Sequence, residues 1–323
     1  VSHAETHLIA LDWGTSSLRV YRFDAAGRVV ESRQRAAGVM RVTAADSAAG
    51  GFERAFEEAC GDWVSASPAS PIVACGMIGS AQGWREAPYL EVPASVDALG
   101  HALTAVETSR GSLLQIVPGL LERGPLPEVM RGEETQVAGA LERAARPPGG
   151  AGADLWIGLP GTHSKWVRVQ DRRIVRFHTF LTGELFAALC AHTILGRTMR
   201  APALPDDAAF DRGVAVARGP QARAGVLSNI FSARTLGLVG QLSAEAQADY
   251  LSGVLVGHEL AALERLGADL ETVVLAGAGD LCRRYQRALA TFGAAAAIAS
   301  DATERGLWRV AGDAGLVPRS AAC

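Results

Sequence analysis

Asp12-Trp13-Gly14-Thr15-Ser16-Ser17 closes a short apolar run, His7 to Asp12 (HLIALD), and leads into Leu18 to Asp24 (LRVYRFD), where apolar and polar residues alternate. An apolar run ending at a Gly-Thr turn reads as a buried strand, and period-two alternation as a half-buried one. Ala25-Ala26-Gly27-Arg28 has the composition of a hairpin turn, with Val29 to Ser32 as a third strand. A carboxylate at the end of a buried strand stands where a hydrated Mg²⁺ can be held near phosphates. The glycine lets backbone N–H groups approach phosphate oxygens, and the hydroxyls of Thr15, Ser16 and Ser17 add donors. An ordinary hairpin turn, with Asp and Gly present for conformational reasons, is the competing reading.

The same pattern returns later in the chain. Leu155 to Leu159 is apolar, Pro160-Gly161-Thr162-His163-Ser164-Lys165-Trp166 turns, Lys165 to Val169 alternates, Asp171-Arg172-Arg173 turns again, and Ile174 to Phe177 continues. Two copies of strand, Gly-Thr turn, strand, turn, strand make an internal repeat. Arg146 to Ala153 (RPPGGAGA), with two prolines and three glycines, is the clearest linker. It divides the 323 residues into an expected N-terminal lobe 1–145, a linker 146–153 and a C-terminal lobe 154–323. Helices are predicted at Phe52 to Val64, Glu134 to Ala145, Gly183 to Leu195, Ala244 to Leu266, Asp280 to Ala290 and Thr303 to Ala311. Further strands are predicted at Pro71 to Cys75, Glu271 to Ala276 and Ala294 to Ala299.

Four other stretches carry chemistry. Lys165, beside the second turn, is placed to contact a transferring phosphoryl group, against the common fate of a solvated lysine; His163 alone reads more simply as structural. Gly277-Ala278-Gly279, between a strand and a helix, lets a ligand approach the backbone and the helix N-terminus, or is merely a tight turn. Arg131-Gly132-Glu133-Glu134 sets two carboxylates at a helix start, as a general base or hydroxyl-orienting group requires; glutamates are also favoured there by helix electrostatics alone. Gly76 to Arg85 is a glycine-rich loop containing Gly79 and Ser80, in which Trp84 can stack on a sugar face and Arg85 can pair a carboxylate. The alternative is a flexible surface loop.

A formal net charge of −3 argues against a general nucleic-acid binder. Five cysteines, without a CxxC pair, argue against a disulfide framework or zinc site and fit a reducing cytoplasm. Val1 to His7 shows no basic segment followed by an apolar run, so no signal peptide is expected. Ala288 to Ser300, bounded by Arg287 and Asp301, is shorter than the ~20 apolar residues of a membrane span. No GxxxxGK[ST] or HExxH is present, and no GxSxG lies on a strand-to-helix turn, which disfavours Walker-type ATPases, zincins and serine hydrolases.

These residues resemble the 2-dehydro-3-deoxygalactonokinase family of the sugar kinase, Hsp70 and actin superfamily. The likeness runs from about Leu8 to about Ala311 and is carried by IALDWGTSSLR (9–19), GMIGSAQGW (76–84) with APYLEVPA (87–94), IVPGL (116–120), VMRGEETQ (129–136), LPGTHSKWV (159–167), TGEL (182–185), YLSGVLVGHEL (250–260) and LAGAGDLCRRY (275–285). The combination of MRGEETQ with PGTHSKW is its most specific part. The resemblance implies an α/β, two-lobed actin/hexokinase-like (ribonuclease H-like) fold with ATP and substrate in the interlobe cleft. The last helix is then a candidate to pack back on the N-terminal lobe. The implied reaction moves the γ-phosphoryl of ATP to the C6 hydroxyl of 2-dehydro-3-deoxy-D-galactonate in galactonate breakdown.

On that reading Asp12 holds Mg²⁺, Gly14, Thr15, Ser16, Gly161 and Thr162 cradle phosphates, Lys165 offsets charge, and Gly277 and Gly279 line the adenosine. Arg85 or Arg131 meets the substrate carboxylate near Gly79, Ser80 and Trp84. Many members of the superfamily carry an Asp just before the second Gly-Thr turn, where this chain has Leu159-Pro160. The base is therefore expected at Glu133 or Glu134, with His163 as runner-up. The partners expected are ATP and a small sugar acid, with no nucleic acid and no membrane; self-association is left open. The rival readings are a same-fold kinase for another sugar acid, such as 2-dehydro-3-deoxygluconate, and a non-enzymatic, ATP-responsive actin- or Hsp70-like protein.

Overall fold

The computed structural model describes residues 5–42, 50–143 and 154–319. The linker expected over 146–153 lies outside these residues, as do residues 1–4, Ala144, Ala145 and Cys323. The chain forms two compact units, the first drawn from Val1–Gly152, Val169–Phe177 and Asp301–Cys323, the second from Ala153–Arg168 and His178–Ser300.

In the first unit, β1 (Leu8–Trp13), β2 (Leu18–Phe23), β3 (Val29–Arg35), β4 (Ile72–Gly76), β5 (Tyr89–Glu91), β6 (Ala94–Ser95), β7 (Thr104–Glu107), β8 (Leu113–Ile116), β9 (Gly119–Glu122) and β10 (Glu128–Met130) follow in chain order. The main sheet runs β3-β2-β1-β4-β8-β7, and a small sheet runs β10-β9-β5. β1 pairs antiparallel with β2 and parallel with β4, and β4 pairs parallel with β8. The central strands β1 (LIALDW) and β4 (IVACG) are buried almost throughout, which is why they read as unbroken apolar runs. β3 (VVESRQR) lies at the edge, and its charged residues suit that place. Phe52, Phe56, Ala59, Cys60 and Trp63 of the helix Gly51–Ala66 fill the core with Ile9, Leu11, Trp13 and Ile72.

In the second unit, β11 (Asp154–Leu159), β12 (Ser164–Gln170), β13 (Arg173–Phe180), β14 (Thr272–Ala276) and β15 (Ala295–Ala299) give the order β15-β14-β11-β12, continued by the last residues of β13. The first residues of β13 belong to the first unit, where Arg173 and Ile174 pair with Ser95 and Ala94. β11, β14 and β15 are parallel. The helices Gln247–Arg265 and Gly279–Thr291 cover the sheet, with Trp156, Trp166, Leu260, Leu263, Tyr285 and Leu289 in one core.

Both units thus share the strand order third, second, first, fourth, each with a further strand beside the fourth: β8 in the first unit, followed at the edge by β7, and β15 in the second. This is the ribonuclease H-like order of the actin/hexokinase-like fold, twice in one chain. Among the described residues no helix is long and apolar enough to cross a membrane.

Within the first unit, the helices Glu133–Arg143 and Ala302–Asp313 touch backbone to backbone. A Cβ on Gly139 would stand 1.9 Å from the Ala302 carbonyl oxygen, and one on Gly306 1.8 Å from that of Thr135. Gln136 Nε2 also donates to Thr303 Oγ1 at 3.1 Å. No side chain fits at this crossing without separating the helices. Gly306→Ala is expected to destabilise the chain by about 2 kcal/mol, as overpacking does, read as a lower urea midpoint at unchanged slope.

Candidate active site

The parallel register of β1 and β4 sets Asp12 beside Cys75 and Trp13 beside Gly76. Gly76 has φ +93°, and a Cβ there would lie 2.7 Å from the Trp13 carbonyl oxygen. Gly132 has φ +109°, and its Cβ would lie 3.1 Å from the Gly76 Cα. Both positions need glycine, for backbone conformation and for space. The contact brings the start of the helix Glu133–Arg143 against the end of β4, and so Glu133 and Glu134 into the neighbourhood of Asp12.

Asp12 is half-buried, with Arg19 Nη1 3.4 Å from Oδ2. Burial raises its carboxyl above the usual range, Arg19 opposes this, and the Glu133 charge adds to it. The turn after it is held on both sides. Gly14 N donates to Ser17 O at 2.9 Å, Val39 N to Gly14 O and Met40 N to Thr15 O, both at 3.0 Å. Thr15 and Ser16 remain exposed at its tip. The residues fit a Mg²⁺ ion. Two neighbouring half-buried carboxylates, one of them opposed by a single arginine, suit an ion that is held by one or two carboxylates plus waters and phosphates rather than by a protein cage.

Glu134 is fully buried. Its Oε2 accepts from Gly132 N at 2.7 Å and its Oε1 from Thr135 Oγ1 at 3.1 Å. Burial, with the Glu133 charge next, pushes its pKa up to about 7 despite those hydrogen bonds. Glu133 is half-buried and accepts from Arg131 N at 3.0 Å through Oε2. Glu134 therefore braces the Gly132 turn with both oxygens, while Glu133 uses one.

The loop after β4 carries Gly79, Ser80, Trp84 and Arg85. Trp84 is packed, stacked on Phe52 at 6.3 Å and tilted or edge-on to Phe56 and Trp13. Arg85 is exposed. Arg131 is buried, and its Nη2 donates to Ala87 O at 2.8 Å.

In the second unit, the register of Gly158 with Leu275 puts the Gly161-Thr162 turn and the Gly277-Ala278-Gly279 turn at neighbouring strand ends, and a Cβ on Gly277 would lie 3.3 Å from Pro160 O. Thr162, Ala278 and Gly279 are exposed. His163 Nε2 meets Glu184 Oε2 at 2.5 Å at the surface. Lys165 points into the protein; it is buried, and its Nζ donates to Thr179 Oγ1 at 2.7 Å.

Behind both turns lies a buried carboxylate that the sequence reading passed over. Glu259 accepts from Trp166 Nε1 at 2.6 Å, from Tyr285 OH at 2.9 Å and from Thr182 Oγ1. Ser164 Oγ joins through Tyr285 OH at 2.9 Å. Ser164 and Trp166 follow the Gly161 turn, and Tyr285 is on the helix that follows Gly279. A single carboxylate thus ties the supports of the two turns together. The signal was a glutamate inside an otherwise apolar helical run, VLVGHELAAL. Arg19 and the Val39-Met40 backbone in the first unit also went unread, since nothing local marks them.

Duplicated ribonuclease H-like units, each with a Gly-Thr turn at a strand end, and an acidic helix start beside one of them suit a phosphotransferase. Residues 12–310 match the family model described as 2-keto-3-deoxy-galactonokinase. The chain is 39% identical over 289 residues to a protein of Rhizobium meliloti (strain 1021) named as a probable 2-dehydro-3-deoxygalactonokinase, covering 88% of this chain and 89% of that one. It is 36% identical over 286 residues to the 2-dehydro-3-deoxygalactonokinase of Escherichia coli (strain K12), covering 88% and 90%. A crystal structure of a candidate 2-dehydro-3-deoxygalactonokinase from Sinorhizobium meliloti matches with TM-score 0.82 and 34% identity over 94% of this chain and 98% of that one. The chain belongs to this family, the 2-dehydro-3-deoxygalactonokinases.

Burial also pushes the Glu259 pKa up to about 7 from its ordinary value of 4.5, against the opposing hydrogen bonds of Thr182, Trp166, Tyr285 and Ser164. A carboxyl raised in the folded state favours folding fully below its unfolded value. That contribution is lost as pH rises through the folded value. Stability is therefore expected to fall between pH 4.5 and about 7, by up to about 1.4 kcal/mol per pH unit for one such group. Glu259→Gln should flatten this decline, checked by urea unfolding across that range.

Proposed function

We propose that the chain transfers the γ-phosphoryl group of ATP to the C6 hydroxyl of 2-dehydro-3-deoxy-D-galactonate. The observation that carries this reading is the convergence of Asp12, Glu133 and Glu134 on one strand end, within the MRGEETQ run of a chain of this family. Glu133 is the base. It takes the C6 proton as the hydroxyl oxygen bonds to the γ-phosphorus, while the bond from that phosphorus to the bridging oxygen breaks and ADP leaves. Glu134 positions it by fixing the Gly132 turn. Asp12 would hold Mg²⁺, which when bound offsets charge on the phosphates.

Gly14, Thr15 and Ser16 present backbone and hydroxyl donors to phosphate oxygens, as do Gly161 and Thr162 in the second unit. Gly277 and Gly279 leave the strand-to-helix turn open to adenosine. Lys165, held by Thr179, contributes only its positive field behind the Gly161 turn. His163, paired with Glu184, is not the base. Trp84 supports the loop from within its aromatic packing, and exposed Arg85 has no assigned contact. The free, mostly buried cysteines Cys60, Cys75, Cys190 and Cys282 suit a cytoplasmic enzyme.

Coupled ADP release over a panel of sugar acids, with ³¹P NMR of the product, tests the reaction and its regiochemistry. Glu133→Gln is expected to lower kcat by ~10²–10⁴ with little change in KM for ATP. Near-normal turnover in that variant would remove Glu133 from the mechanism.

A further inference from the structure

Arg131 presents a physical problem. Its residue is 8% exposed. One hydrogen bond, from Nη2 to Ala87 O, and the ring of Tyr89, 4.3 Å from the guanidinium carbon, hold it. Nε and Nη1 have no hydrogen-bond partner, and no carboxylate pairs with the guanidinium among the described residues. A buried cation without a counter-charge and with unsatisfied donors is strongly disfavoured unless something answers it. The neighbouring loop packs closely on it. A Cβ on Gly79 would stand 2.8 Å from Arg131 Nη1, so only glycine fits beside that nitrogen. Ser80, the next residue, is also buried, and its Oγ also lacks a partner. Two nitrogens on a buried cation and the hydroxyl of the residue after Gly79 therefore lack partners.

We propose that Arg131, with Ser80, forms the binding site for the carboxylate end of a small 2-oxo acid, and that this site makes the enzyme select acids over neutral sugars. The proposal deepens the sugar-acid kinase reading and rests on it for the identity of the whole substrate. Arg131 stands one glycine before Glu133, so the anchor and the base share one turn. A planar guanidinium with one face on Tyr89 is fixed in orientation and presents its edge to a planar anion. The exposed Arg85 lacks both features. Phosphate is the competing anion, and kinetics with ATP separate the two.

The experiment compares wild type, Arg131→Met and Arg131→Lys. In turnover, Arg131→Met should raise KM for 2-dehydro-3-deoxy-D-galactonate by about 30-fold or more, as loss of a buried charge partner does, with KM for ATP within about 2-fold. Arg131→Lys should recover only part of the loss. In a second arm that needs no turnover, pyruvate and its neutral counterpart pyruvamide are titrated by ligand-observed NMR. Pyruvate should bind wild type, pyruvamide should bind much more weakly, and pyruvate binding should fall in both variants.

An unchanged KM for the sugar acid in Arg131→Met, a raised KM for ATP instead, or equal binding of pyruvate and pyruvamide would each overturn the proposal. If Arg131→Met does not fold, Arg131→Lys and the wild-type preference for pyruvate decide. If no sugar acid is phosphorylated while pyruvate binding still depends on Arg131, the kinase reading fails and the carboxylate site stands.

Discussion

Parallel pairing of the first and fourth strands is the constraint on which the site depends. In the first unit the register that sets Asp12 against Cys75 brings two carboxyl strand ends together. The chain leaving each end must then turn away in very little space. Gly76, at φ +93°, makes one of those turns, and Gly132 lets a distant helix start dock on it. The acidic residues are near each other because the backbone there carries no side chains to separate them. In the second unit the pairing of β11 with β14 does the same for the Gly161 and Gly277 turns. Asp12 ends a strand and Glu133 and Glu134 begin a helix, and a rigid sheet register dictates where those ends lie.

How far the sequence could be read follows from what each element relies on. β1, β4, β11 and β14 are buried on both faces, so their composition alone announces them. β3 was expected to stop at Ser32 but continues to Arg35, because Gln34 and Arg35 pair with Arg19 and Leu18 of β2. Cross-strand pairing, not hydrophobicity, sets that length. The short strands β5 to β10 have three or four residues at most and no usable period. The helix expected to reach Leu195 ends at His192, where Thr193 Oγ1 bonds back to Leu189 O and takes Leu195 N. The helix Asp207–Val216 was passed over although Asp206 caps it, accepting from Ala209 N at 2.9 Å. That signal, an Asp after a Pro ahead of an apolar face, was legible.

The site was legible to a different degree. Turn chemistry and the doubled glutamate stand out locally. The states of those groups do not, because burial and neighbours from remote segments determine them. Glu133 and Glu134 are adjacent in sequence and similar in kind, yet one is sealed in the Gly132 turn with both oxygens engaged and the other is half-buried with one oxygen engaged. Arg85 and Arg131 looked equivalent as cations. Only the fold separates a solvated arginine from one held under Tyr89 with donors to spare.

Charge placement around the Gly132 turn follows the needs of phosphoryl transfer to an acid. In the proposed reaction the acceptor is an anion and so is the donor nucleotide, so a uniformly acidic pocket would repel both and a uniformly basic one would hold no carboxylate to accept the proton. The turn resolves this by sequence order. Arg131 comes first, facing Gly79, and Glu133 comes two residues later, on the side of Asp12. On the proposed reaction, the carbon chain of a six-carbon acid would separate its carboxylate from its terminal hydroxyl, so that opposite charges would serve opposite ends of one substrate. Glu134, buried behind them, adds less than a full negative charge to this arrangement, because burial and the Glu133 charge push its pKa up to about 7. A buried carboxyl that is partly neutral can lock the turn through hydrogen bonds without adding a full charge to the repulsion that an incoming phosphate meets.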